Sequence, residues 1–446
     1  STVREFESLR DFFTSATLVA IVDLPFIFLF IYIISLIGGP LALVPLICVP
    51  IVLITGIVVQ PFLAKLSLEG MQTGMSKQGV LVETLNGLET IKATGSAGLM
   101  RKRFEEASVR QSDLGFRTRA ITQFAINSSA SVQQFAQIAI IFYGVFLIAD
   151  GIVTMGALIA SVILTGRTLA PLSQLASALT RVNSARTAYS TINALMKKPR
   201  DREEGENPLS RPNLKGEIEF KNVTFTYPGA NDPTLKDLSF KINPGEKVAI
   251  LGKMGSGKST IARLLAGLYE PDVGSILIDG VDLRQIDQSD IRRNIGFMLQ
   301  DTWLFSGSVK ENIQMGFVQY SDEHILNVSK ISGVDDFVSQ NPSGYDFQLK
   351  ERGEGLSGGQ KQSINLARSI LHNPSVLILD EPTSSMDSAT EKAVLDNLNS
   401  WLEGKSLIAI THRNSLVRLV SRVLVIDKGI LVADDVPEKL MGPRPA

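Results

Sequence analysis

The sequence predicts a multi-domain chain in which an all-α, membrane-spanning domain precedes an α/β domain. The first half contains four apolar runs, at about 17–37, 41–63, 120–149 and 152–176, each near the ~20 residues with which a helix spans a bilayer. The second half contains a glycine-rich loop between an apolar strand and a helix, a setting typical of parallel α/β domains. A length of 446 residues also exceeds that of one ordinary domain.

Composition narrows the class of protein further. Hydrophobic residues make up 44% of the chain and its mean hydropathy is +0.16, which favours a membrane-embedded part. The net charge of −1 gives no indication of nucleic-acid binding. The single cysteine, Cys48, excludes a disulfide within the chain, and three histidines argue against a histidine-rich metal site.

The loops between the apolar runs predict the orientation of the first domain. The short loops at 38–40 and 150–154 contain no lysine or arginine, whereas residues 64–119 contain nine. The positive-inside rule therefore places 64–119 and the C-terminal half in the cytosol and both short loops outside. The first two runs are interpreted as a transmembrane hairpin; the alternative is a pair of buried helices in a soluble core.

Domain boundaries follow from changes in composition. Residues 1–196 are predicted to form the membrane domain, with four membrane helices and a long cytosolic helical excursion at 64–119. Residues 197–213 are charged and interrupted by prolines, as in a linker. Residues 214–446 are predicted to form the soluble domain, which opens with a stretch of period 2, typical of a strand.

The middle of the cytosolic excursion has two possible structures. A turn centred on Asn86 and Gly87, followed by a short helix, would form a tip that presses on another domain, and we interpret residues 83–93 as such a coupling segment. An uninterrupted helix with one tolerated glycine is the alternative, and the local sequence does not decide between them.

Polar residues recur on one face of the later apolar runs. In the third run they fall at i, i+4, i+8 and i+11: Gln123, Asn127, Ser131 and Gln134. In the fourth they fall at i, i+7 and i+14: Arg167, Gln174 and Arg181. Polar groups at membrane depth normally face a bundle interior or a wet cavity. The two stripes therefore indicate either a pathway for polar cargo or hydrogen bonding between helices.

Residues 252–259, Gly-Lys-Met-Gly-Ser-Gly-Lys-Ser, fit the phosphate-loop pattern G-x-x-x-x-G-K-[ST], with a strand predicted at 247–251 and a helix at 260–266. Glycines let backbone N–H groups surround phosphates, and the helix start adds free donors. Lys258 is expected to reach the β- and γ-phosphates, and Ser259 to bind Mg²⁺. The residues predicted to bind nucleotide here are Gly252, Gly255, Ser256, Gly257, Lys258, Ser259 and Thr260.

Polar residues follow the other predicted strands. Asp380 ends the apolar run at 375–379, which predicts a carboxylate that holds Mg²⁺ beside the phosphate loop. Glu381 is placed to polarise the attacking water as the catalytic base. Gln300 follows the strand at 294–299 and is expected to reach Mg²⁺ or water, and His412 follows the strand at 406–411 and is expected to contact the γ-phosphate.

A second anion-binding helix start is predicted at residues 356–360, Leu-Ser-Gly-Gly-Gln. Ser357 is expected to cap the helix, and the backbone N–H groups of Gly358 and Gly359 are then available to bind an anion. One chain then has two phosphate cradles but only one complete nucleotide site. A two-fold dimer in which Ser357 to Gln360 of each chain close the other chain's site resolves this. Tyr227, at the end of the first strand, offers a flat face for adenine.

These motifs together resemble those of an ABC exporter subunit. The matching segments in family order are Walker A (252–259), the Q-loop residue Gln300, the signature (356–360), Walker B (376–380) with Glu381, the D-loop (385–387) and the switch residue His412. The resemblance implies that ATP and Mg²⁺ are bound and that Asp387 belongs to the ATP site. It also implies that two ATP molecules are sandwiched between the Walker A of one chain and the signature of the other.

The membrane half is similar to the type I secretion permease/ATPases, which export hemolysin-type toxins and large repeat adhesins. The segments that carry this similarity are 6–13, 23–26, 81–92 and 351–355. It implies polypeptide cargo, a periplasmic adaptor, an outer-membrane channel and a place in the bacterial inner membrane with the ATPase in the cytoplasm. The alternatives are a lipid or drug exporter and a truncated ATPase that transports nothing.

The chain departs from the family pattern at several positions. The family has six transmembrane helices per subunit, often behind a peptidase-like domain, whereas this chain begins with Ser1 and resembles the last four. Lys350 replaces the usual glycine before Glu351, in a segment that resembles the family's link to the coupling helices. None of the departures falls on a residue predicted to contact phosphate.

Overall fold

The computed structural model describes residues 6, 10, 16–173, 175–198, 208–301, 303–316 and 319–441, except for some side chains within the helices at 16–24 and 173–184. The chain divides into two compact units, Ser1–Arg200 and Asp201–Ala446. This division falls inside the segment that the sequence predicts to be a linker.

The first unit is built from helices. Their bounds in chain order are Ala16–Gly38 (α1), Leu43–Asn86 (α2), Leu88–Ala93 (α3), Ala97–Ala149 (α4), Met155–Ser173 (α5) and Leu175–Met196 (α6). A 3-10 turn, Gly39–Ala42, joins α1 to α2. Gly39 has a φ of +50°, which glycine adopts readily. Pro40, near the start of the 3-10 turn, lacks the N–H that would continue the helical hydrogen bonds of α1. The chain therefore reverses direction here, after the first apolar run.

The buried side chains of the first unit form three layers. One contains Ile34, Leu41, Ile140, Leu147, Val153 and Leu158; the next contains Ile27, Val49, Ala136 and Leu169; the third contains Val59, Leu63 and Ala125. Residue numbers run in opposite directions through these layers in α1 and α2, and again in α4 and α5. Both pairs are therefore antiparallel hairpins, and their short loops lie at the same end of the bundle.

Three stretches of the described residues are long and apolar enough to cross a membrane: Pro25–Asn86, Ala97–Ala149 and Met155–Leu172. The first contains the end of α1 and all of α2, and helices account for most of the described residues in each of the four predicted apolar runs. Large apolar side chains cover the outside of these helices, as at Phe28 (76% exposed) and Phe135 (72%). Such a surface is typical of lipid contact, and it opposes the alternative of helices buried in a soluble core.

Residues 64–119, which the sequence predicts to be a long cytosolic excursion, are formed by the end of α2, by α3 and by the first part of α4. Helix α2 ends at Asn86, Gly87 leaves helical geometry with a ψ of 15°, and the six-residue α3 follows. Glycine costs about 1 kcal/mol in a helix interior, which favours a break at this residue, although Gly70, Gly74 and Gly79 are accommodated within α2. The alternative of an uninterrupted helix through Gly87 is therefore wrong.

The polar stripe of α4 lies on its exposed face. Gln123, Asn127, Ser131 and Gln134 are all exposed, whereas Ala125, Ser129, Ala136 and Ile140 of the same helix are buried. Within the stripe, Gln123 Nε2 donates to Asn127 Oδ1 at 2.8 Å. Arg167 on α5 is also exposed, Gln174 lies outside the described residues, and so does the side chain of Arg181. The polar stripe of α4 is thus not buried against the other described helices.

The second unit is organised around a six-stranded sheet in the order β12-β11-β3-β10-β9-β6, of which all but β12 run parallel to their neighbours. The strands are Lys247–Gly252 (β3), Ile295–Met298 (β6), Val376–Asp380 (β9), Ser406–Ile410 (β10), Arg422–Asp427 (β11) and Ile430–Asp435 (β12). Every residue of β9 and β10 is buried, as expected for central parallel strands.

A second, antiparallel sheet has the order β2-β1-β4-β5, and a two-stranded ribbon pairs β7 with β8. These strands are Ile218–Phe225 (β1), Leu235–Ile242 (β2), Val273–Ile278 (β4), Val281–Asp282 (β5), Gly307–Ser308 (β7) and Gln348–Leu349 (β8). The helices are Lys258–Leu265 (α7), Gln288–Asn294 (α8), Val309–Gln314 (α9), Asp322–Ser332 (α10), Asp335–Val338 (α11), Gly358–Ile370 (α12), Ser388–Trp401 (α13), Asn414–Val417 (α14) and Pro437–Met441 (α15).

The six-stranded sheet has an apolar core on each face. Val248, Ile250 and Ile378 pack with α7 and the antiparallel sheet, whereas Ala249, Leu377 and Leu379 pack with α10, α12 and α13. The alternation follows from the period of 2 along each strand. The central strands are therefore held from both sides, so the residues at their carboxyl ends have a rigid support.

The described part of the predicted linker is attached to the second unit. Asp290 Oδ2 accepts hydrogen bonds from the Ser210 hydroxyl at 3.0 Å and from Arg211 N–H at 2.6 Å. Asn294 Oδ1 accepts from Leu214 N–H at 3.2 Å. Residues 208–214 are thus ordered on the second unit by local hydrogen bonds.

Candidate nucleotide site

The sheet order brings the predicted site residues to one edge. The phosphate loop follows β3, His412 follows β10, Asp380 and Glu381 end β9, and Gln300 follows β6. Because these strands are parallel neighbours, their carboxyl ends lie side by side. The strand that leads to His412 lies between the phosphate loop and the Asp380 strand.

The phosphate loop has the backbone geometry that its glycines allow. Gly255 has a φ of +77° and Gly257 a φ of +100°, and Gly257 is the residue from which α7 starts. The loop is also held by its neighbours, since Ser256 O accepts a hydrogen bond from Gly429 N–H at 3.0 Å. The first N–H groups of α7 therefore point out of a fixed loop, as an anion-binding helix start requires.

Lys258 lies folded over this loop. Its ammonium donates to the carbonyl oxygens of Gly252 and Lys253, each at 2.8 Å. Burial lowers the pKa of Lys258 from its ordinary value, against the opposing effect of Glu381 and Asp380. A cation held this way, at the start of a helix, matches the predicted role in phosphate binding.

Gly252 provides a test of the loop geometry. A Cβ at this position would lie 2.0 Å from the carbonyl oxygen of Ile426 on β11, and the φ of +155° is outside the usual range of other residues. We expect Gly252→Ala to displace the loop and to weaken ATP binding by at least about tenfold, which is ~1.4 kcal/mol. Binding of a fluorescent ATP analogue measures this.

Gly280→Ala is the matched control for that substitution. Gly280 also has a positive φ, +77°, but a Cβ there meets nothing within 4 Å. Both positions have a positive φ that strains an alanine, but only at Gly252 does the added Cβ also collide with a neighbouring atom. Equal affinities in the two variants would contradict the role given to the close packing of Gly252.

Asp380 is the buried acidic group of the site. Its side chain is 2% exposed, and its Oδ1 has no hydrogen-bond partner. Burial raises the pKa of Asp380, which a hydrogen bond from the Ser259 hydroxyl and the charges of Arg263 and Lys258 partly oppose. A buried carboxylate oxygen without a partner beside a hydroxyl group fits a hard divalent cation such as Mg²⁺.

Glu381 and His412 face each other at the ends of β9 and β10. Glu381 Oε1 lies 3.8 Å from His412 Nε2 and accepts no hydrogen bond. The Glu381 side chain is 14% exposed and that of His412 55%. Burial raises the pKa of Glu381, and the charge of His412 opposes this. Glu381 also has a φ of +51°, a left-handed conformation that costs energy in a residue with a side chain.

Tyr227, Thr260 and Gln300 border this edge. The Tyr227 hydroxyl lies 3.1 Å from Thr260 Oγ1 and accepts from Arg263 Nη1 at 3.0 Å. Its ring is half-buried, with the rings of Phe225 and Tyr269 edge-on to it. Tyr227 is thus fixed beside α7, where the sequence predicts an adenine contact. Gln300 is exposed at the end of β6.

The signature segment, residues 356–360, forms the start of α12. Ser357 Oγ accepts from Gln360 N–H at 3.2 Å, and Gln360 Oε1 accepts from Ser357 N–H at 2.9 Å. This capping box leaves the N–H groups of Gly358 and Gly359 as first-turn donors. A Cβ on Gly358 would lie 2.8 Å from Ser385 Cβ, so this segment packs against the D-loop of its own chain.

Asp387 caps α13 in the structure. Its Oδ1 accepts from the N–H groups of Ala389 and Thr390, both at 3.0 Å, and its Oδ2 accepts from the Thr390 hydroxyl. The hydrogen bonds from Thr390 lower the pKa of Asp387, which is exposed. Asp387 is two residues after Ser385, which packs against Gly358 of the signature segment, so Asp387 lies near that segment.

Three residues near the site were not found from the sequence. Gln362 Nε2 donates to Glu381 O at 3.2 Å and to Ser384 Oγ at 2.8 Å. Glu391 and Arg413 form an ion pair at 2.8 Å. A polar residue on the buried face of α12 was the available signal for Gln362. For the ion pair the only signal was that Arg413 follows His412.

The fold and this edge of the sheet define a P-loop nucleotide-binding domain on a chain with a helical membrane domain. Comparison with known families gives two matches. The ABC transporter family matches residues 235–384, and the ABC transporter transmembrane region matches residues 3–172. The chain belongs to the ABC transporters, with the membrane domain and the ATP-binding domain in one polypeptide.

Curated relatives extend the similarity over nearly the whole chain. The toxin RTX-I translocation ATP-binding protein of Actinobacillus pleuropneumoniae is 31% identical, over 98% of this chain and 62% of its own length. The leukotoxin translocation ATP-binding protein LktB of Mannheimia haemolytica is 32% identical, over 96% of this chain and 60% of its own. This chain thus spans about three fifths of the relatives that it matches.

A solved structure confirms the fold. A bacterial Atm1-family ABC exporter with ATP bound superposes with a TM-score of 0.89 at 26% identity, covering 99% of this chain and 76% of that one. The predicted combination of a helical membrane domain of the ABC exporter type and an α/β nucleotide-binding domain is confirmed.

Proposed function

We propose that this chain is an ATP-hydrolysing exporter subunit that works as a dimer and drives a polypeptide across the bacterial inner membrane in type I secretion. The observation that carries this proposal is the 31–32% identity with toxin translocation ATP-binding proteins over 96–98% of the chain. The ATPase domain then lies in the cytoplasm, on the side of the basic excursion.

In the proposed reaction, Glu381 takes a proton from the attacking water. The new bond forms between that oxygen and the γ-phosphorus, and the bond to the β–γ bridging oxygen breaks, so that ADP and inorganic phosphate leave. Support comes from the burial of Glu381 and its free Oε1, since a raised pKa makes a carboxylate a stronger base. His412 is placed to hold the γ-phosphate beside it, and Lys258 to hold the β- and γ-phosphates.

Ser259, Asp380 and Gln300 are the residues proposed to hold Mg²⁺. The cation supplies charge neutralisation for the phosphates during the displacement. The buried Oδ1 of Asp380, without a partner in the protein, supports this assignment most directly. Gln300 contributes an amide oxygen from the exposed end of β6.

The dimer is proposed because the chain has two phosphate-binding helix starts but only one complete nucleotide site. Gly358 and Gly359 have free first-turn donors, and they belong to the face of the second unit that also carries Ser385 and Asp387. A second copy would supply this face to the phosphate loop. By family resemblance, a periplasmic adaptor and an outer-membrane channel would complete the export path.

The cargo is proposed to be a polypeptide because the exposed stripe of α4 is polar. Amide side chains can exchange hydrogen bonds with a moving peptide backbone, whereas a lipid tail has no hydrogen-bond donor or acceptor. Farther along α4 the exposed side chains Phe135, Ile138 and Phe142 are apolar, which suits lipid on the outside of the bundle.

The cargo test uses the full chain in proteoliposomes with ATPase activity as the readout. We expect an unfolded polypeptide to raise ATPase activity at least about twofold, and added phospholipid or a drug-like amphiphile to leave it unchanged. Asn127→Leu should remove the stimulation, because it replaces an amide in the stripe. Ser129→Ala, on the buried face of α4, is the control.

Stimulation by lipid or amphiphile alone would support the lipid or drug exporter instead. ATP hydrolysis that responds to none of these compounds would favour an ATPase without transport. In either case the assignment of the nucleotide site would stand, because it does not depend on cargo.

A further inference from the structure

Glu391, on α13, is a buried acidic residue that has no part in the proposed chemistry. It is 8% exposed and yet is paired on both carboxylate oxygens. Oε1 accepts from the Thr383 hydroxyl at 2.6 Å and from the Ser415 hydroxyl at 2.8 Å. Oε2 accepts from Arg413 Nη1 at 2.8 Å. A buried carboxylate with three donors is fully satisfied.

Arg413 extends this network from the residue after His412. Besides Glu391, its guanidinium donates to Ser384 O at 2.9 Å, and to Met386 O at the longer distance of 3.5 Å. Its backbone N–H donates to Thr411 Oγ1 at 3.0 Å. Both ends of the short segment that carries His412 are thus fixed, one by the strand end and the other by the ion pair.

The groups held by this network belong to three segments of the site. Thr383 and Ser384 follow Glu381, Met386 precedes the α13 cap Asp387, and Arg413 and Ser415 flank the start of α14. The Ser384 hydroxyl also donates to Glu381 O at 3.2 Å. One ion pair therefore connects the proposed base, the proposed γ-phosphate contact and the turn that packs against the signature segment.

The surroundings of Glu391 favour its ionised form. Burial acts to raise the pKa of Glu391, but the hydrogen bonds from Thr383 and Ser415 together with Arg413 hold it below its ordinary value. Removing one partner of such a pair leaves the other as a buried, unpaired charge. The segments that it joins would then rearrange, whereas the phosphate loop, which is held by β11 and Gly429, would not.

We propose that the Glu391–Arg413 pair positions His412 relative to Glu381 and ties both to the D-loop turn, so that it controls ATP hydrolysis but not ATP binding. When a second copy docks at Ser385 and Asp387, the Glu391–Arg413 pair would transmit this contact to Glu381 and His412, whose side chains face each other at 3.8 Å. This inference rests on the proposed ATPase function. Both residues are positioning residues, since neither is at the strand ends that would contact ATP.

The test separates binding from turnover in the full chain. We expect Arg413→Met to lower kcat about 10- to 100-fold, the size of effect that a displacement of about 1 Å near the chemistry produces. The Kd for a fluorescent ATP analogue should stay within about threefold of the unmodified chain. Arg413→Lys keeps the charge and should restore part of kcat. Glu391→Gln, which has the same shape, covers the case in which Arg413→Met does not fold.

Arg422 provides a matched control. It forms ion pairs with Glu246 at 2.9 Å and with Asp434 at 2.6 Å in the same unit, at the amino end of β11, whereas His412 and Glu381 follow the carboxyl ends of β10 and β9. Arg422→Met should lower the thermal unfolding temperature but leave kcat per folded molecule within about twofold. If both arginine variants lose kcat equally, or if Arg413→Met loses ATP affinity in parallel with kcat, the positioning role is wrong.

Absence of ATPase activity in the unmodified chain would instead contradict the proposed function. An active unmodified chain with unaltered Glu391→Gln and Arg413→Met variants would contradict only the role of the pair. The two failures are therefore distinguishable in one series of measurements.

Discussion

Glu381→Gln is expected to stop ATP turnover while ATP stays bound. The amide keeps the shape of the side chain but cannot accept the proton of the attacking water, and a positioned base contributes roughly 10²- to 10⁴-fold to such a step. Phosphate release per minute should therefore fall by at least about 100-fold, and the Kd for ATP should change little. The control is Glu403→Gln, an exposed carboxylate far along the chain after α13.

Rapid turnover by Glu381→Gln would remove Glu381 as the base. The proton would then have to pass to another group at this edge, such as His412, whose Nε2 lies 3.8 Å from Glu381 Oε1. A variant that neither binds nor hydrolyses ATP would mean that Glu381 has a structural role in the site. Its left-handed backbone conformation is one reason to measure binding separately from turnover.

Lys258→Met is expected to weaken ATP binding itself. The ammonium exchanges its two carbonyl partners for phosphate oxygens when ATP binds, and two hydrogen bonds to a charged group at about 1.5 kcal/mol each correspond to roughly 100-fold in Kd. Titration with a fluorescent ATP analogue measures the loss. Lys330→Met, an exposed lysine on α10, is the control.

The same variant tests the proposed dimer. Lys258→Met in one copy and Ser357→Arg in the other leave one intact site in a mixed dimer, because each site takes its phosphate loop and signature segment from different chains. Co-reconstituted variants should regain ATPase activity that neither has alone. Failure to regain it would mean that each chain completes its own site.

Much of the fold follows from the sequence because its signals are local. The length of the apolar runs predicts the helices of the first unit, since a run as long as 41–63 matches the length of a membrane-spanning helix. The wholly buried strand Val376–Asp380 is recognisable as uninterrupted aliphatics ending in a carboxylate. The phosphate loop is recognisable because its glycines have a conformational role, which the positive φ values of Gly255 and Gly257 demonstrate.

Other features are not local and could not be predicted. The position of β10 between β3 and β9 depends on crossover connections, which leave no trace in a strand's own residues. The capping role of Gln360 competes with a nucleotide contact, and only the geometry shows that its side chain is already used. The Glu391–Arg413 pair joins residues 22 apart, with no pattern to connect them.

The break at Gly87 gives the long helices a mechanical property. Helix α4, with 53 residues, is a rod of about 80 Å at ~1.5 Å per residue, whereas the 44-residue α2 contains Pro50 and Pro61, each of which removes a helical hydrogen bond. A rod of that length acts as a lever: a rotation of about 5° at one end moves the other by roughly 7 Å. The break at Gly87 lies at the tip beside the start of α4, so a push at the tip would be delivered along α4 toward the far end of the bundle.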